Sequence, residues 1–156
     1  VERSRGLGDV YKRQAMDPMN PSIEVYNDGI IFYSLGNFIF ETETTALQPY
    51  DAYKARGMST ETKVGAYMDQ RSANGTRGFP VMPEIWKAVI PSWIVEDGKI
   101  TEVKLHPIDL GMEKSRGTRG RPALSRSQET LEYLAKLSEP YGVSIDIEEG
   151  VGTIRL

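Results

Sequence analysis

The 156-residue sequence has no cysteine and only one histidine, and both shortages limit its chemistry. Without thiols it can build no disulfide framework, no thiolate metal site and no cysteine nucleophile. Hydrolytic zinc, manganese and iron centres draw on several imidazoles, whereas this chain offers His106 alone. Positive charge is not in excess either: 19 Lys and Arg stand against 22 Asp and Glu, a formal net charge of −3. Such a balance gives no general attraction to nucleic acid or to an anionic membrane surface. No apolar run approaches the ~20 residues that a membrane-spanning helix needs. The opening Val1-Glu2-Arg3-Ser4-Arg5 lacks the apolar stretch of a secretory signal. The expectation is therefore no nucleic-acid partner and no membrane segment.

What is present suits a folded domain: 39% hydrophobic and 26% charged residues argue against wholesale disorder. Residues 4–14 stand apart, with no hydrophobic periodicity and no capping or turn logic leading into residue 15. They resemble one reading frame of a transposase adapter used in sequencing libraries. Residues 1–14 are thus expected to be a non-native tail, and residues 15–156 to carry the fold.

Three hairpins are expected. The first joins Ile23–Tyr26 to residues 30–33 through Asn27-Asp28-Gly29, because Asp-Gly supplies the positive φ that a tight turn requires. Its second strand is almost wholly apolar, which predicts burial on both faces, with Phe38-Ile39-Phe40 continuing it beyond Gly36-Asn37. The second pairs residues 88–95 with 100–106 around Glu96-Asp97-Gly98-Lys99; there Ile100, Val103 and Leu105 face inward while Glu102 and Lys104 face water. The third closes the chain, residues 143–147 and 151–156 flanking a Glu-Glu-Gly turn. Residues 41–78 are polar, with helix-like stretches at 50–56 and 61–71, and read as a surface insertion. Ser125 followed by Gln128 has the form of a capping box for a helix whose inner face is Leu131, Leu134, Ala135 and Leu137, stopped by Pro140 and Gly142. Strands grouped as hairpins among a few helices predict an α+β fold.

The stretch Ile23-Glu24-Val25-Tyr26-Asn27-Asp28-Gly29-Ile30-Ile31-Phe32-Tyr33-Ser34-Leu35-Gly36-Asn37-Phe38-Ile39-Phe40 resembles the C-terminal part of CapA-type capsule-synthesis (poly-gamma-glutamate) proteins. The likeness continues through Gly75-Thr76-Arg77-Gly78-Phe79, the Arg116 to Gly120-Arg121-Pro122 loop, Leu137-Ser138-Glu139-Pro140-Tyr141-Gly142 and Gly150-Val151-Gly152-Thr153-Ile154. The resemblance implies the C-terminal part of an α/β/β/α sandwich of the calcineurin-like metallophosphatase superfamily. It also implies a two-metal centre in the complete bacterial protein and an association of that protein with the cell envelope. Just before the Ile23 strand this family carries a histidine pair. Residues 15–22 contain no histidine, so no metal ligand, no catalytic residue and no bound cofactor are expected here, and the chain is expected to be an inactive fragment lacking the N-terminal half of its domain.

Five residues are candidate contacts to an anionic substrate such as a phosphoester or polyglutamate. Gly36 and Asn37 come after the apolar strand, where a glycine lets backbone N–H groups approach an anion and an amide can bond it. Arg77, Arg119 and Arg121 could grip phosphate or carboxylate oxygens in bidentate fashion, and Arg116 belongs to the same loop cluster. These arginine loops also define an alternative, a non-catalytic polyanion-binding module; the lack of aromatic residues between them speaks against RNA. The competing readings are structural: a strand-ending Asx turn at Asn37, Asx turns at Asp17, Asp28 and Asp109, a sheet histidine at His106, arginines paired to nearby glutamates, and core positions for Trp86 and Trp93.

Overall fold

A computed structural model describes residues 21–27 and 29–156. The adapter-like tail, Asp17 and Asp28 lie outside the described residues. What is described is an α+β arrangement of antiparallel strands and short helices. Strand β1 (Ile23–Tyr26) pairs with β2 (Gly29–Phe32) from Ile23↔Phe32 to Tyr26↔Gly29. Next come two short helices, α1 (Tyr50–Lys54) and α2 (Val64–Arg71), then two 3-10 turns at Phe79–Val81 and Pro83–Trp86. The long strands β3 (Lys87–Glu96) and β4 (Lys99–Asp109) form the second hairpin. The two-residue strand β5 (Ala123–Leu124), helix α3 (Gln128–Ser138), a 3-10 turn at Glu139–Tyr141, and strands β6 (Asp146–Glu148) and β7 (Val151–Arg155) complete the chain.

The main sheet runs β3-β4-β7-β6, with β5 pairing the end of β4. Its two tight turns have the backbone signs that a right-twisted hairpin demands. Asp97 and Gly98 sit at φ 50° and 78°, and Glu149 and Gly150 at the same angles. A bulge falls between Ile94 and Val95: Ile94 opposes Glu102 while Val95 opposes Ile100, leaving Thr101 unpaired with β3, and its carbonyl accepts instead from the Leu156 N–H at 3.1 Å.

Period-2 alternation on β4 sends Val103 and Leu105 into the core and leaves Lys104 exposed. Helix α3 lies over this face, its Leu131 and Leu134 packing with Val89, Val103, Leu105 and Ile154. Burial of side chains of this size contributes about 1.5–3 kcal/mol each. Ser138 ties the helix end to β1: its hydroxyl donates to Leu134 O (2.8 Å) and accepts from Ile23 N (3.0 Å) in a fully buried setting. Gly142, at φ 72°, ends the adjoining 3-10 turn.

Several sequence expectations need correction. The cap of α3 is Ser127, which accepts from Thr130 N; Ser125 instead accepts from Ser127 N, so the helix starts two residues later than the capping-box pattern suggests. Strand β2 is half-buried throughout and not buried on both faces, with Ile30 and Phe32 packed against the main core. Phe38 and Ile39 do not extend it; both are exposed and outside any strand, and only Phe40 turns inward, edge-on to Phe79 and Trp86. Trp86 is core, its indole N–H donating to Phe79 O at 2.7 Å, whereas Trp93 is 56% exposed near the hairpin tip. Ile100, beside the bulge, is half-buried. Residues 41–78 do carry two helices, clustered around Tyr53, Tyr67 and Met68.

Candidate functional site

The segment leaving β2 is stitched to the edge of the main sheet. Val89 N donates to Leu35 O at 3.1 Å, and Gly36 bridges Ala88. Gly36 has φ 77°, and a Cβ there would lie 2.7 Å from Lys87 O and 2.8 Å from Ala88 Cβ, so only glycine fits this approach. Its N–H donates to Ser34 Oγ (3.2 Å), and the Asn37 side-chain amide donates to Ile85 O (3.1 Å). The donors proposed for an anion are therefore engaged within the chain.

Beside Gly36 a groove of about 310 Å³ runs between the start of β3 and α3, lined by Leu35, Ala88, Val89, Tyr133 and Leu134 among others. This is the low end of the volumes that enclose whole small-molecule ligands. An exposed ion pair, Lys87 Nζ to Glu129 Oε2 at 2.8 Å, adjoins it; the hydrogen bond from Lys87 holds the Glu129 carboxyl below its usual range. Glu84, Glu129 and Glu132 balance Lys87 and Lys136 around the groove, so it has no cationic character.

The arginines lie elsewhere and divide into two groups. Arg119, 13% exposed, donates through Nε and Nη2 to the buried carboxylate of Glu43, through Nη1 to Met112 O (3.4 Å), and stacks 5.0 Å from the Trp86 ring centroid. Arg116 reaches Asp69 Oδ1 (2.6 Å) and Gly65 O (3.2 Å), its Nε lying 3.7 Å from Glu43. That Nε is buried without a hydrogen bond. These two guanidiniums hold residues 41–78 against the rest of the chain. Arg77 and Arg121 are exposed, and neither has a carboxylate partner among the described residues. Glu43, Asp69 and Arg71 are not marked out by sequence. Glu43 sits in Glu41-Thr42-Glu43-Thr44, where nothing distinguishes the buried carboxylate from its exposed neighbour Glu41.

His106 faces Ile90 across the hairpin with Nε2 3.0 Å from Ser92 Oγ, and Asp109 accepts from Gly111 N at 2.7 Å as an Asx turn. Among the described residues no group of three or more His, Asp or Glu is placed to hold a metal ion. Among the described residues, then, no set of side chains fits the two-metal centre that the resemblance implies. No helix among these residues is long and apolar enough to cross a membrane.

No family model matches the chain. Two curated proteins of Sinorhizobium fredii, "Uncharacterized protein y4sH" and "Uncharacterized protein y4uA", are each 37% identical to it over 143 residues, covering 86% of this chain. The chain spans 31% of the length of these relatives, so it is similar to about one third of a longer polypeptide.

Proposed function

We propose that this chain is the C-terminal part of a CapA-type capsule-synthesis protein of the metallophosphatase superfamily. In the longer protein its sheet would complete an α/β/β/α sandwich whose metal ligands come from the rest of the polypeptide. The reaction would be metal-dependent hydrolysis at an anionic substrate, a phosphoester or the capsule polymer. The reading draws its main support from residues 23–40, where the resemblance is densest. They run as strand, turn and strand into a glycine loop that seats against Ala88. The greater length of the relatives agrees with it. Purified with manganese, the intact y4sH protein is expected to hydrolyse a generic phosphodiester until a chelator is added, and to lose that activity when the third matching this chain is deleted. Full activity without that third would refute the reading, as would an intact relative inactive with every divalent metal.

A second reading, a polyanion-binding module, is favoured by one observation: Arg77 and Arg121 carry exposed guanidiniums without acidic partners among the described residues. Arg119, committed to Glu43, drops out of that set. Polyglutamate binding that falls steeply with salt and is lost on Arg77→Ala plus Arg121→Ala would support it. Salt-insensitive or absent binding would remove it.

A further inference from the structure

The C-terminal end of α2 and the turn after it enclose a small pocket of about 100 Å³, lined by Thr42, Glu43, Arg71, Ser72, Arg77 and Phe79, among others. We propose that it is a binding site for one compact oxyanion, a phosphate group or a carboxylate. The inference rests on the polyanion reading above and deepens it by naming the pocket and adding Arg71.

The pocket's volume far exceeds the ~10–15 Å³ that admits a single water, yet falls well short of the ~300 Å³ at which sites enclose an entire small molecule. It suits one charged group presented by a larger ligand. Its charge favours an anion. Glu43 is the only carboxylate in the lining, and its charge is already met by Arg119 and Arg116. Arg71 and Arg77 therefore set the sign. Neither is paired with a carboxylate among the described residues: Arg71 rests its guanidinium 5.2 Å from the Phe79 ring centroid, and Arg77 spends only Nε, on Arg71 O at 3.3 Å. The ring contact and the backbone bond fix the planes of the two forks while leaving N–H donors uncommitted.

One local feature opposes the site. The pocket lies at the C-terminal end of α2, where the helix dipole disfavours an anion. Hydrogen bonds from two guanidiniums outweigh a partial charge of about half a unit, and hydroxyl donors at Thr42 and Ser72 need not contribute. The Ser72 hydroxyl is in fact occupied, donating to Met68 O at 2.8 Å and accepting from Gly75 N at 3.0 Å.

Titration of the isotopically labelled full chain with inorganic phosphate and, separately, with acetate tests the site, read by NMR shifts. Saturable shifts centred on Arg71, Ser72 and Arg77 are expected for at least one of the two, and whichever saturates at lower concentration names the group. Arg71→Ala and Arg77→Ala should each weaken binding ~10-fold or more, the scale of one lost charge-assisted hydrogen bond, with Arg71→Lys keeping part of it and guarding against a folding artefact. Arg155→Ala, on β7 and outside the pocket lining, should leave phosphate and acetate binding unchanged. Shifts centred elsewhere, or unaltered in the Arg71 and Arg77 variants, would overturn the assignment. If polyglutamate still binds in those variants but not in Arg121→Ala, the pocket falls and the polyanion reading stands. If neither small anion nor polymer binds anywhere, both fall.

Discussion

In the main sheet, the side chains that meet between β3, β4, β7 and α3 are aliphatic: Val89, Val103, Leu105, Leu131, Leu134 and Ile154. Residues 41–78 are held differently. Their own apolar cluster has three buried side chains, Tyr53, Tyr67 and Met68, with Ala52, Met58 and Val64 packed against them, and their attachment runs through Glu43 and Asp69 to Arg119 and Arg116. The sheet is stabilised by area removed from water, which tolerates small shifts. The attachment depends on charges taken partly out of water, and it fails when one partner is removed because the other charge is then left without its counter-ion. The two regions should therefore fail separately, and in different ways.

Leu105→Ala would break the sheet. Leu105 is fully buried on the central strand, and its truncation should cost about 2–5 kcal/mol, moving the urea midpoint of the whole chain. Glu43→Ala would break the other region. It leaves Arg119 enclosed without its counter-charge, a change on the order of 3 kcal/mol. Amide exchange should accelerate across residues 50–78 while Val103, Leu105 and Leu131 stay protected. Equal acceleration in both regions would contradict the separation. Gly36→Ala probes the seam between β2 and the sheet edge. With φ at 77° and Lys87 O only 2.7 Å from the new Cβ, a loss of about 1–3 kcal/mol in unfolding free energy is expected. Glu149→Gly, at φ 50° in the last turn, should go the other way and raise stability by about 1 kcal/mol.

The smallest effect concerns pH. The hydrogen bond from the Tyr33 hydroxyl to Glu24, with some burial, pushes the phenol up to about 12 from its ordinary 10.0. Between those values the unfolded chain has released this proton and the folded chain has not. The stability the group contributes is thus complete below pH 10 and is lost as pH rises through 12. Tyr33 lies at the partly exposed β1–β2 ribbon, so solvent screening keeps the effect modest. Tyr33→Phe should flatten the stability decline between pH 10 and 12 relative to the parent, measured by denaturant titration at each pH.

The turns and the amphipathic helix could be read from sequence because they rest on local chemistry. Asp97-Gly98 and Glu149-Gly150 specify backbone signs by themselves, and the Leu131/Leu134 spacing specifies a helical face. What could not be read depends on distant partners. The apolar run at residues 30–33 looks buried on both faces, yet whether anything covers the second face is decided by the rest of the fold. Trp93 and Trp86 are equivalent as residue types; their burial differs because one sits near a hairpin tip and the other beneath Phe40. Of the five candidate site residues, Arg119 meets a buried glutamate 76 positions away, a pairing that no local pattern reveals. Arg71 carries no signal of its own, because a basic residue ending a polar helix is ordinary until the 77–79 turn folds back beside it.

In the proposed function, this chain contributes sheet and surface to a larger metal-dependent enzyme without supplying a metal centre of its own. The most direct measurement is phosphodiester hydrolysis by the purified chain with added manganese or zinc, with and without chelator, beside intact y4sH protein. Turnover by the intact relative alone is the predicted result; chelator-sensitive turnover by this chain alone would contradict the proposal.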